Sequence, residues 1–281
     1  YSWTDGEVTG IRSAISKAQP SAQVFVEYLD WRRFPTQQNS DQVETLLTLR
    51  YGTDKPGVLI VTDNPALSFA LEHRSGIFAG VPVVFCGVND FQPDMLKGMK
   101  NITGVAEEID PASAIDLALR LHARATSMYV ITDFTETGLA VRRTIQRAVQ
   151  RFQGRAAFSF SPDMTLQELL DAVAALPQNT VILATPFTRD RAGVFTDIPQ
   201  FTEQLAAHTA LPIYGIYEEG LGRGIVGGVL TSPSLEGEKA GELAVRILNG
   251  ESADAIPVVT KQSTRAAFDW QKLQQYGIPV S

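Results

Sequence analysis

The sequence predicts an α/β protein with parallel sheets, folded as two Rossmann-like lobes. Three observations carry this. Short apolar, β-branched runs alternate with longer stretches of helical spacing, the pattern of strands and crossover helices. Several of these runs are apolar at nearly every position, as strands buried on both faces are. The chain of 281 residues holds more strands than one compact open sheet takes, at a length that suits two domains.

The elements follow in order. Residues 4–18 form a helix with Val8, Ile11, Ala14 and Ile15 on one face. An α/β lobe ordinarily opens on a strand, so a strand preceding Tyr1 is expected. A strand over 24–28 and a helix over 40–51, with Val43, Leu46, Leu47 and Leu49, come next. After a strand at 58–62, a helix over 65–74 starts on Pro65, whose missing N–H costs nothing in a first turn. A strand over 81–86 ends at Cys86. Residues 101–110 are polar and read as the passage between lobes. Beyond them come helices at 111–123, 137–153, 165–176, 199–208 and 234–250, with strands at 127–132, 156–160, 180–184 and 212–216. The glycine-rich stretch 220–228 reads as the return. Lobe one is therefore expected at 1–107 plus 227–252, and lobe two at 108–226 plus 253–281.

Composition narrows the function. Lys and Arg total 24 against 31 Asp and Glu, a net charge of −7, which argues against a nucleic-acid partner. The single cysteine, Cys86, leaves no internal disulfide and no Cys-rich zinc site. As the end of an all-apolar strand, it is expected to be buried and reduced. No apolar run approaches the ~20 residues of a membrane span. No signal peptide is visible, so the chain reads as mature, trimmed or an excised piece.

In open α/β sheets ligands bind outside the carboxyl ends of the strands. Those ends hold Tyr1, Trp3 and Thr4; Asp63 and Asn64; Gly87 and Asn89; Asp133, Phe134, Thr135 and Thr137; Phe187 and Arg189; and Tyr217 and Glu218. Aromatic faces beside hydrogen-bonding tips suit a small polar or amphipathic solute. The same Asp, Asn and Thr residues also suit helix caps. Arg189 has the planar fork that grips a carboxylate bidentately; it equally suits a surface pair with Asp190. Asp63, Asn89, Asp133 or Glu218 could receive an ammonium group.

Catalytic signatures are sparse. His73, His122 and His208 sit in helical context without a second histidine at i+3 or i+4, and no HExxH, GxSxG or GxxxxGK[ST] occurs. The run Gly220-Leu221-Gly222-Arg223-Gly224 has the look of a dinucleotide fingerprint. An extended apolar stretch follows it where the phosphate-binding helix should start, so it reads as a connector crossing between lobes. No cofactor and no metal are expected.

The segment Val81-Pro82-Val83-Val84-Phe85-Cys86-Gly87-Val88-Asn89-Asp90 resembles one in bacterial ABC-transporter substrate-binding-like proteins, as does Val61-Thr62-Asp63-Asn64-Pro65-Ala66. Thr103-Gly104-Val105 before Asp110 is similar to that family's passage into its second lobe. Asp133-Phe134-Thr135-Glu136-Thr137-Gly138 resembles its D-x-T-x-x-G turn, and Tyr214 to Glu218 with Gly224 to Gly228 its return segment. The resemblance runs over nearly the whole chain. It implies a type I periplasmic-binding-protein fold: two α/β lobes joined by three crossovers, with a hinge that closes on a small ligand. Phe268-Asp269-Trp270-Gln271-Lys272-Leu273 and Tyr276-Gly277-Ile278 resemble the branch that forms sensor domains of bacterial membrane signalling proteins. LacI-type regulators share the fold but carry a DNA-binding headpiece, which nothing here supplies.

The expected function is that of a non-catalytic, extracytoplasmic solute-binding module, periplasmic and membrane-tethered in its full-length protein. Its ligand would be an amino acid or organic acid, and its partner a membrane-embedded signalling module. Two alternatives stand: a substrate-binding protein serving an ABC permease, and a metal-dependent α/β enzyme using Asp63, Asp90 and Asp133.

Overall fold

The computed structural model describes residues 1–31, 33–260 and 264–279. The chain divides into two compact units. The first comprises Ser2–Glu108 and Pro233–Ser263; the second comprises Tyr1, Ile109–Ser232 and Thr264–Ser281. Apart from Tyr1, the chain passes between them after residues 108, 232 and 263.

The first unit holds a parallel sheet in the order β1 (Leu59–Thr62), β2 (Val83–Asn89), β3 (Ile102–Glu107). Helices α1 (Ser2–Ala18) and α8 (Pro233–Leu248) cover one face; Ile11, Ile15, Ala240, Leu243 and Ala244 pack there with Val84, Cys86 and Val105. Helices α2 (Gln37–Tyr51) and α3 (Asp63–Glu72) supply a second cluster with Leu47, Leu67, Phe69 and Phe85. Glycines set the spacing of α1 and α8. A Cβ on Gly10 would overlap the backbone of Ser234, and one on Gly237 the backbone of Glu7, so the helix backbones touch.

The second unit holds a six-stranded sheet in the order β5 (Ala157–Phe160), β4 (Ser127–Ile131), β6 (Thr180–Ala184), β7 (Ile213–Gly215), β8 (Gly227–Thr231), β9 (Thr264–Phe268). All neighbours are parallel except β8 and β9. Its helices are α4 (Pro111–Leu121), α5 (Glu136–Val149), α6 (Leu166–Ala174), α7 (Ile198–Ala207) and α9 (Trp270–Gln275). Their starts are written in the sequence. Asp110 accepts from the Ser113 N–H at 2.9 Å, Thr135 from Gly138 at 3.1 Å, and Thr165 with Glu168 forms a reciprocal capping box.

Five expectations need correction. Residues 102–107, read as a polar passage, form β3, buried at every position. Its polar atoms are satisfied internally: the Thr103 hydroxyl donates to Ile256 O at 2.9 Å, and Glu107 accepts from Asn89. Residues 24–28, expected as a strand, join no strand among the described residues; Glu27 there binds Arg50 and Tyr51 of α2. The stretch 220–224 does not cross between units but turns back within the second. Residues 227–231, expected in lobe one, form β8 of the second unit, because Gly227 and Gly228 let it run hard against Ala267 and Gly215. Residues 253–260, expected in lobe two, line the first unit's β3, with Val259 bridged to Val105.

Candidate functional site

In the second unit, the carboxyl end of β4 is organised by Asp133, only 2% exposed. Its Oδ1 accepts from the Thr135 N–H at 3.1 Å and hydroxyl at 2.6 Å. Its Oδ2 accepts from the Thr188 N–H at 2.7 Å, the Thr188 hydroxyl at 2.9 Å and the Arg189 N–H at 3.4 Å. The D-x-T-x-x-G spacing follows from this geometry. Thr135 caps α5 while donating to Asp133, and a Cβ on Gly138 would overlap Asp133 Oδ1. The side chain of Glu136 lies outside the described part. Asp133 thus ties the β4 loop to the β6 loop, and its acceptor positions are filled from within, which corrects its expected role as an ammonium receptor.

Phe134 points outward, 39% exposed. Behind it lies Arg142, whose guanidinium sits 5.3 Å from the Phe134 ring centre and 5.0 Å from that of Phe160. Arg142 Nη1 also donates to Thr132 Oγ1 at 3.0 Å and Ser161 O at 2.8 Å. Arg189 is exposed and makes no ion pair among the described residues. Asp190, its alternative partner, is occupied by the N–H groups of Leu166 and Val194. The Arg189 backbone bridges Phe195, whose ring meets Tyr1 edge-on with centroids 5.9 Å apart. Exposed Thr137 lies in the first turn of α5.

Three other expected residues belong elsewhere. Phe187 stacks on Phe201 with centroids 5.2 Å apart and is 2% exposed; it is core, because it fills the buried cluster that Phe201 and Leu205 of α7 form with Ile225. Tyr217 is likewise buried. Glu218 forms an ion pair with Arg265 from β9, so a ligand ammonium would have to displace a cation already there.

The first unit presents a different surface chemistry. Asn64 and Asn89 hold the β1 and β2 ends together reciprocally: the Asn89 N–H donates to Asn64 Oδ1 at 2.9 Å, and Asn64 Nδ2 donates to Asn89 O at 3.2 Å. Asn89 Nδ2 donates on to Glu107 Oε2 at 3.1 Å. Gly87, at φ +64°, sits where β2 bulges against β3, and its N–H donates to Glu236 Oε2 at 3.1 Å. Half-buried Asp63 follows β1 at φ +70°, and half-buried Thr4 lies in the first turn of α1. Trp3 is buried in the helical face of α1, not open for stacking.

Sequence reasoning missed Glu7, Glu107, Glu236, Arg142 and Phe195. A signal existed for two of them: Glu7 falls in the apolar stripe Trp3, Gly10, Ile11, Ala14, and Glu236 in the stripe Gly237, Ala240, Gly241, Ala244. Glu7 is completely buried and its pKa lies well above the ordinary carboxyl value. Burial is the main cause, followed by Asp63, Glu236 and Glu107; the Trp3 indole offsets part of this. The histidines lie away from the strand ends: His122 pairs with Tyr214, His208 with Gln204 O, and His73 with Glu44.

No protein-family model matches the sequence, and a search of curated proteins finds no match. Solved structures do match. The ligand-free, open structure of CD0873, a substrate-binding protein with adhesive properties from Clostridium difficile, superposes with a TM-score of 0.71 at 17% identity, covering 100% of this chain and 92% of that one. The chain has the type I periplasmic-binding-protein fold. Other type I structures agree. An ABC domain in complex with L-Trp from Streptococcus pneumonia gives a TM-score of 0.67 at 13% identity, over 99% of this chain and 92% of that one. A LacI family transcriptional regulator from Bifidobacterium animalis gives 0.59 at 12% identity, over 95% and 92%.

Proposed function

We propose that this chain is a non-catalytic binding module that takes a small amino acid or related carboxylate at the carboxyl ends of its strands. The observation that carries the reading is Arg189, an exposed guanidinium without an ion-pair partner among the described residues, on the same sheet edge as the outward ring of Phe134. A guanidinium fork matches a carboxylate, and an aromatic face matches a flat or apolar side chain. The neighbours' character as substrate-binding proteins and regulators supports a non-enzymatic role.

The mechanism follows from differential affinity. A ligand with higher affinity for one conformation of the module than for another shifts the population towards the first. We place the module outside the cytoplasm, tethered to a membrane in its full-length protein, as the sensor domain of a bacterial signalling protein. The resemblance of residues 268–278 to the sensor branch supports this over service to an ABC permease. The coding sequence downstream of Ser281 separates the two: a membrane helix and a signalling domain support the sensor, and a stop codon with a neighbouring permease gene supports the transporter.

The binding reading is tested by thermal shift against a panel of amino acids, simple carboxylates, sugars and nucleosides. A ligand at 100 times its Kd stabilises the folded state by about 2.7 kcal/mol. A rise in Tm with an amino acid or carboxylate is expected; a response only to sugars or nucleosides overturns the ligand class.

A further inference from the structure

Glu7 of α1 and Glu236 of α8 are both completely buried, brought together by the glycine contacts that hold the two helices in backbone contact. They bracket the β2 bulge. Glu236 Oε2 accepts from the Gly87 N–H at 3.1 Å, and Glu7 Oε1 fills the space that a Cβ on Gly87 would need. Neither Glu7 oxygen has a hydrogen-bond partner at good geometry. The charges acting on Glu7 are acidic, Asp63 from α3, Glu236 from α8 and Glu107 from β3, with the Cys86 thiol of β2 alongside; the Trp3 indole of α1 opposes them in part. The cations of the helix pair lie elsewhere. Arg12 and Lys17 of α1 are exposed, Lys17 pairing with Glu238, while Lys239 and Arg246 of α8 pair with Glu242 and Glu251.

Carboxylates buried close together repel one another and lose hydration, so they cannot all be ionised at once. Glu236 receives an N–H donor, which favours its charged form. At Glu7, burial and the acidic neighbours outweigh the Trp3 indole, so Glu7 keeps the proton.

We propose that the Glu7–Glu236 pair is a proton-held clamp on the Gly87 bulge, which is tight while Glu7 carries its proton and loosens the Gly87–Asn89 turn when that proton leaves. The clamp lies within the first unit; Asp63 and Asn89 beside it are also candidates for a ligand ammonium, so its test uses the ligand-free chain. Its consequence is a pH response at a strand end that carries Asn89.

The sign follows from proton counting. Glu7 in the folded state holds a proton that an unfolded glutamate has already released at neutral pH. Stability is therefore fully present below the ordinary carboxyl range, and falls as pH rises towards the raised value.

The test is thermal unfolding of the ligand-free chain from pH 5.5 to 8.0, below the range of the buried thiol. The wild-type Tm should fall across this window by at least roughly 2–4 °C. Glu7→Gln keeps the shape without the titration, so its profile should be flatter and its Tm above wild type at pH 8.0. Glu236→Gln, which retains an oxygen for the Gly87 N–H, should also flatten the profile and serves if Glu7→Gln does not fold. Hydrogen exchange provides the local reading: protection of the Gly87 amide should fall with pH in wild type beyond the intrinsic exchange rate. Variant profiles as steep as wild type, or Gly87 protection independent of pH, overturn the proposal.

Discussion

Asp133 and Thr188 join two strand-end loops of the second unit: one carboxylate oxygen of Asp133 accepts both the backbone N–H and the hydroxyl of Thr188, at 2.7 and 2.9 Å. With Thr135 on the other oxygen, the carboxylate is a staple. Asp133→Ala should cost roughly 2–4 kcal/mol, since it strands several half-buried donors at once and leaves a gap where a buried carboxylate stood. Urea unfolding checks this through a lowered midpoint, and Asp133→Asn should fall between the two. An unchanged midpoint for Asp133→Ala would mean that the loops hold without it.

Phe134 and Phe187 separate surface from core. Phe187, stacked on Phe201, should cost about 3–5 kcal/mol of stability when cut to Ala. Phe134, with its outer face open, should leave stability within about 1 kcal/mol and weaken ligand binding instead. Chemical denaturation and ligand titration on the same two variants read both quantities. Equal stability losses would contradict the assignment.

Gly87 combines a left-handed backbone with a missing side chain. Gly87→Ala meets a φ of +64° and a Cβ overlapping Glu7 Oε1. The expected loss is about 2–4 kcal/mol, from αL strain and overpacking together. Adding Glu7→Ala removes the overlap but not the strain, so the double variant should recover part of the loss. Strictly additive losses would show that the two residues do not meet.

Cys86 is fully buried, and burial, with Glu7, Glu236 and Asp63 around it, pushes its thiol well above the ordinary range. A thiol reagent at neutral pH should label it only as fast as the first unit opens, and at the rate of a free peptide once urea is added. Native labelling at the peptide rate would contradict the buried position.

Much of this architecture is legible in the residues. The strand at Thr180–Ala184, apolar at its inner positions and closed by Thr185-Pro186, appears where it was expected. The caps Asp110, Thr135 and Thr165 announce their helices. What was hidden depends on contacts made far along the chain. β3 looks polar until Ile256 and Asn89 are seen taking its Thr103 and Glu107. β8 looks like a linker until its glycines meet Ala267 and Gly215. The strand-end polar residues were legible as a set, but not their division of labour. Spacing alone cannot tell that Asp133 is spent on internal amides while Arg189 is left open.

The most direct test of the ligand reading is calorimetric titration of wild type and Arg189→Ala with aromatic amino acids and simple carboxylates. The account predicts saturable binding to wild type, and a loss on the order of 2–5 kcal/mol in the variant, as for truncating one partner of a desolvated charge pair. Affinity in Arg189→Ala equal to wild type, or binding confined to sugars or nucleosides, would contradict it.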